Sequence, residues 1–205
     1  MTLSGNDLGD AMFAAVTAYF NGLTPGDGGV LPWDRSSLFD AVATAYGAYL
    51  NANTVCTITS PPGGAPLTAL GTYAGTLTAP PGDIYTTLPA AIHGAAPALS
   101  GTYWRIIGNA LVSRITGLTI GGTVAAGPIP PGTPPGPPPG PGGVFTATLS
   151  YDPTGLAAAL MAAATDHGVG EFGATFLTHL TAHNNITSST VPVGNSVGAA
   201  PGVAS

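Results

Sequence analysis

The chain contains no lysine, and its cations are three arginines, Arg35, Arg105 and Arg114. Charge of either sign is scarce: 6% of residues are charged, against roughly 25% in an ordinary soluble domain. Without lysine no P-loop can be completed. A net charge of −6 leaves no basic patch for a general grip on nucleic acid. Glutamate is nearly absent as well, with Glu171 alone beside eight aspartates, so paired-carboxylate hydrolysis has little to draw on. The single cysteine, Cys56, excludes an internal disulfide and reads as a buried apolar thiol. There is no run of 18 apolar residues of the kind that crosses a membrane. The opening MTLSGNDLGD has neither a basic n-region nor an apolar h-region, so it does not read as a secretory signal.

What fills the chain instead is alanine, threonine, 31 glycines and 21 prolines, with 44% apolar residues overall. That is enough to build a core. Two causes suit so little charge: a surface covered by partners, which has no need to repel its neighbours, and a base-composition bias toward Ala, Gly, Pro and Thr codons.

The sequence echoes itself three times. TLSGNDLGDAM opens at Thr2, TLTAPPGDIYTTL at Thr76 and TLSYDPTGLAAAL at Thr148. Each leads into an apolar helical segment, then a second helix, then a Thr/Val/Ile strand, then a Gly-rich approach to a closing strand. The second helix of the first unit shows the pattern most clearly. Leu38, Phe39, Val42, Ala45, Tyr46, Tyr49 and Leu50 fall on one helical stripe. First helices are expected near 6–22, 84–97 and 153–167, and second helices near 36–51, 100–115 and 170–183. Asn6 or Asp7, Ser36 and Ser100 are the candidate caps, and Asp152-Pro153 reads as a capping acid before a helix-starting proline. The closing strands read GTYAGTLT, GGVFTATLS and GAAPGVAS. The fold class is therefore α+β: three tandem helix-helix-strand-loop-strand repeats over 1–75, 76–147 and 148–205, with short antiparallel strands packed on amphipathic helices.

In this frame GPIPPGTPPGPPPGPGG, from Gly127 to Gly143, is an enlarged hairpin loop of the second unit. Its glycines have no period of three, which excludes a collagen helix. Its proline density favours a stiff polyproline arm. It is either a docking arm or a tolerated insertion at a hairpin tip.

Candidate chemistry is sparse. His179 and His183 stand four apart on a helix, as zinc ligands often do, with His167 and Glu171 upstream; no recognised motif supplies a third ligand. Asp166-His167 invites a hydrolase reading, but there is no Gly-x-Ser-x-Gly elbow. No cofactor and no catalytic residue is expected. Tyr103, Trp104, Arg105 and Arg114 form an aromatic-and-arginine group suited either to an interface or to a core. Trp33 has the same two readings. With Pro130, Pro134 and Pro138 of the arm, these residues make the candidate interface.

The segment Ala45–Val55, AYGAYLNANTV, and more weakly His179–Ile186, HLTAHNNI, are the residues that carry a resemblance. They are similar in style to the small Ala/Gly/Thr-rich virion proteins of tailed bacteriophages, in which an apolar helix leads through such a segment into a Thr/Val strand and a Gly-rich end. The resemblance implies a non-enzymatic structural subunit of a tail, neck or baseplate, located in the virion. Its partners would be other virion proteins in a homo- or hetero-oligomer, joined by strand pairing and helix docking, with no direct contact to nucleic acid or membrane. Three units in one chain depart from the single-unit pattern and suggest one chain filling a pseudo-threefold position. The other readings are a capsid decoration protein, a secreted or surface binding module, and a metal-assisted hydrolase using His179 and His183.

Overall fold

Helix starts follow from side-chain oxygens that satisfy the first free backbone N–H groups. In the computed structural model Ser4 accepts from the Asp7 N–H to open α1 (Gly5–Asn21), Asp34 accepts from the Ser37 N–H at 2.8 Å to open α2 (Arg35–Asn53), and Ser100 accepts from the Tyr103 N–H to open α3 (Gly101–Ile115). The first cap lies two or three residues before that expected at Asn6 or Asp7, and the second two before that expected at Ser36. Asp152 caps no helix. It accepts from the Thr154 N–H in an Asx turn, Gly155 follows at φ +83°, and α4 (Leu156–Asp166) begins only after it, ahead of α5 (Val169–Ala182). The structure describes residues 3–27, 29–64, 70–78, 100–127, 131, 140–166, 169–192 and 194–205. The helix expected at 84–97, His167, Pro130, Pro134 and Pro138 lie outside them.

The strands are β1 (Val55–Ser60), β2 (Gly71–Leu77), β3 (Thr119–Ala125), β4 (Gly143–Tyr151), β5 (Asn184–Val191), β6 (Gly198–Ala199) and β7 (Gly202–Ala204). All described pairings are antiparallel, in the order β2-β5-β4-β1-β7-β3, and a β2–β3 ladder closes the ring into a six-stranded barrel, with β6 an added pairing on β3. The class is α+β, as expected.

The strand–loop–strand segments are not hairpins. β1 pairs with β4 and β7, β3 with β2 and β7, and β5 with β2 and β4. In each segment the two strands stand on opposite sides of the ring, so their connection joins strands that are not neighbours. A tight two-residue turn cannot do that, which accounts for the long Gly/Pro loops.

β1, β3 and β5 run the same way, because each is antiparallel to shared neighbours. Each is entered directly from a helix: α2, α3 and α5. The helices therefore gather at one end of the barrel and the three loops at the other. There the loop bases meet. Ser60 Oγ donates to the Ser196 carbonyl at 2.9 Å, Ser196 Oγ donates to the Pro61 carbonyl, and the Gly63 N–H donates to the Gly140 carbonyl.

Strand alternation turns Cys56, Ile58, Ile120, Val124, Phe145, Leu149 and Ile186 inward, and threonines outward. Tyr73 lies across the interior. Its ring meets Phe145 edge-on at 5.6 Å and its hydroxyl donates to the Ala200 carbonyl at 2.9 Å. Gly122 makes that position possible: a Cβ there would stand 2.3 Å from the Tyr73 hydroxyl.

Among the helices, α1 packs on α2 and α3, and α4 on α5 and α2. The α1–α3 crossing is a backbone contact at Gly5, Gly9 and Gly108, where a Cβ on Gly108 would stand 2.1 Å from the Gly5 carbonyl oxygen. The buried apolar faces of helices and strands form one continuous core.

Candidate functional site

The residues with the most reactive chemistry sit where the end of β4 meets α5. The four-residue spacing of His179 and His183 does place both imidazoles on one helix face, with rings stacked at 3.9 Å. Both ring nitrogens of His179 are engaged. Nε2 faces the Thr154 carbonyl at 2.9 Å, which can only accept, so Nε2 carries the proton. Nδ1 therefore accepts from the Tyr151 hydroxyl at 2.6 Å. His183 Nδ1 lies 3.1 Å from the His179 carbonyl and donates to it.

Burial holds His179 below the ordinary histidine value. The Thr154 carbonyl opposes that shift, the nearby His183 adds to it, and Asp152 opposes it. Burial also pushes the Tyr151 phenol well above its usual range, with the Asp152 charge adding to the effect. A neutral imidazole between a carbonyl and a protonated phenol is a structural clip. It ties β4 and the 152–155 turn to α5, and leaves neither nitrogen free for a metal. No group of three His, Cys, Asp or Glu that could hold a metal occurs among the described residues.

Beside the clip, α4 and α5 flank an open trough of about 470 Å³, lined by Ala159, Ala162, Ala163 and Ala174 together with Glu171 and His183. Its alanines give it room, and its polar lining is Glu171, Thr175, Thr178 and the two histidines. Cys56 lies inside the barrel wall, fully buried, and burial pushes its thiol up to about 11. It is inert in that setting.

The expected interface residues separate. Trp104, 6% exposed, belongs to the core, and Tyr103 packs edge-on against it at 5.5 Å. The Arg105 guanidinium grips Asp10 of α1 through Nε at 2.6 Å and a second nitrogen at 2.7 Å, holding two helices together and lowering the Asp10 carboxyl. Arg114 ends α3. Trp33 stands apart on the α1–α2 loop, 52% exposed, with Val30 and Leu31 exposed beside it.

The sequence reading passed over Tyr151 and Thr154, although Tyr151 continues the inward alternation of β4 up to the turn. It also passed over Val144 and Val203, which face outward from the barrel. No helix among the described residues is long and apolar enough to cross a membrane. No family model, curated protein or solved structure matches the chain.

Proposed function

We propose that this chain is a non-enzymatic structural subunit: three fused copies of one helix-helix-strand-loop-strand unit, filling a threefold position in a larger assembly. The observation that carries the reading is the strand pairing. Take β1, β3 and β5 as the first strands of units one, two and three, and β2, β4 and β7 as their second strands. Every first strand then pairs with the second strands of the other two units and never with its own. One rotation carries unit one onto two, two onto three and three onto one, and leaves this pattern unchanged.

Helix contacts obey the same rotation, since it takes α4 on α2 to α1 on α3. Side chains support it too. Tyr46 and Leu50, Ile107 and Leu111, and Phe176 and Leu180 are fully buried pairs, each four apart on a second helix. Tyr73, Phe145 and Ala200 take one aligned position of the closing strands, and they meet inside the barrel.

No unit closes a sheet by itself, so separate chains of such a unit would form a strand-exchanged trimer. Fusion makes that trimer obligatory. Strand β7 is taken up between β1 and β3, so it is not available for exchange with a neighbour. The reactive groups are spent on structure: His179 in a clip, Cys56 in the core, Arg105 on Asp10. With the resemblance of Ala45–Val55 to phage virion segments, we place the subunit in a tailed-phage or phage-like virion, among other virion proteins.

The test is density-gradient fractionation of a lysate from cells producing the chain in its own setting, with peptide mass spectrometry across the gradient. Enrichment in the particle band supports the reading, and cryo-electron microscopy of that band then assigns tail, neck, baseplate or capsid surface. Presence in the soluble or culture-medium fraction alone overturns it.

A further inference from the structure

The charges of this chain are segregated. There is no Asp, Glu, Lys or Arg from Thr54 to Gly82, from Thr116 to Tyr151, or after His183. Those stretches contain every described strand and the three strand-to-strand connections at the barrel mouth. All three cations and eight of the nine anions therefore lie in the described helix-bearing segments, and the ninth anion, Asp83, lies outside the described residues. The barrel presents an uncharged wall of threonine, serine, alanine and valine.

Within that wall one sector carries the exposed valines, set among threonines. On β4, β1 and β7, Val144 is 67% exposed and Val203 46% exposed. Thr59 pairs with Val144, and Thr57 pairs with Val203 on one side and Thr146 on the other. Pro201 stands beside Thr59 and is exposed.

We infer that this sector, Val144, Val203, Thr57, Thr59, Thr146 and Pro201, is a docking face for a second copy of the same chain, with the barrels together and the helical ends outward. Charge selects this occupant. A charged surface placed on the wall would lose its water and gain no counter-charge, which is costly. An uncharged surface loses nothing of that kind, and the wall of another copy is such a surface. The charges of the described residues, eight anions against three cations, sit on the helical halves, so two copies repel through those halves and approach more readily through their barrels. The inference deepens the assembly reading and rests on it.

The experiment is sedimentation equilibrium of the full chain over a wide concentration range, at low and high salt, with paired variants. The native chain is expected to self-associate, with salt leaving the association unchanged or strengthening it by screening the helical ends. Val144→Lys with Val203→Lys is expected to weaken association by about tenfold or more. The milder pair Val144→Thr with Val203→Thr should weaken it without adding charge, and Val30→Lys should leave it intact. Circular dichroism and protection of Cys56 from thiol reagents verify that each variant folds. A native chain monomeric at every concentration overturns the inference, as does self-association indifferent to both valine pairs, or one lost with Trp33→Ala instead. A chain found in particles yet monomeric in solution overturns this face and leaves the assembly reading standing.

Discussion

Gly122→Ala is the sharpest test of how the barrel interior is filled. A Cβ at this position would lie 2.3 Å from the Tyr73 hydroxyl, 2.5 Å from its Cζ and 2.4 Å from the Ala74 carbonyl oxygen. Tyr73 is 1% exposed and has nowhere to withdraw. Displacing its ring forfeits the bond to the Ala200 carbonyl, worth about 1 kcal/mol, and the edge-on pair with Phe145, about 1 kcal/mol. The strain of an overfilled interior adds about 1 kcal/mol or more. The expected loss is about 3 kcal/mol, a large share of the 5–15 kcal/mol that typically holds a domain folded. At this chain length it lowers Tm by about 6–12 °C. Urea unfolding should show a lower midpoint at unchanged slope. The adjacent Gly121→Ala is the control: its Cβ would meet only the Thr78 methyl at 3.2 Å, and it should be mild. In a Tyr73→Ala background Gly122→Ala should cost at least about 1 kcal/mol less. A neutral Gly122→Ala, or effects that simply add, would refute the placement of Tyr73 over Gly122.

Gly108→Leu should push α1 and α3 apart, because even a Cβ there would stand 2.1 Å from the Gly5 carbonyl oxygen; thermal unfolding should show a loss of several degrees, while Gly117→Ala tests a turn glycine at φ +88° with no close neighbour. Burial holds the folded His179 below its ordinary value, so the unfolded chain binds the proton first. Its contribution is complete above about pH 6.5 and is lost as pH falls through that value toward the folded pKa. Urea titrations should show stability declining over that window, and His179→Gln should flatten that part of the slope. Cys56, fully buried with its thiol pushed up to about 11, should react with a disulfide reagent at mild alkaline pH only as fast as the protein opens, and at once in denaturant; prompt labelling of the native chain would contradict its place inside the barrel.

Much of the local architecture was legible because amphipathic periodicity is a local property. The stripe from Leu38 to Leu50 marked α2, Ser100 marked the start of α3, and the Gly-led closing segments GTYAGTLT and GGVFTATLS marked β2 and β4. Caps were misread where the capping oxygen lies outside the apolar pattern, as with Ser4 and Asp34. Strand pairing was not legible. Alternation says which face a strand buries but not which neighbour it takes, so β1 and β2 looked like one hairpin although they stand on opposite sides of the barrel. The candidate site divided for a similar reason. Trp104 and Trp33 are the same residue type, each within two residues of an arginine, and the packing of α3 against α1 sends the first into the core. The four-residue spacing of His179 and His183 was right, but Tyr151 and Thr154, distant in the sequence reading, occupy the nitrogens that a metal would need.

The interlocked barrel is the central claim, and cutting the chain at the 152–153 bond tests it most directly. The fragment 153–205 carries α4, α5, β5, β6 and β7, and every described strand partner of these lies in the fragment 1–152. Circular dichroism, urea unfolding and native mass spectrometry of each fragment and of their mixture decide the matter. The account predicts that 153–205 gains cooperative structure only in company, as a one-to-one complex with 1–152 or as a trimer of itself. A fragment 153–205 that folds cooperatively as a monomer would contradict it.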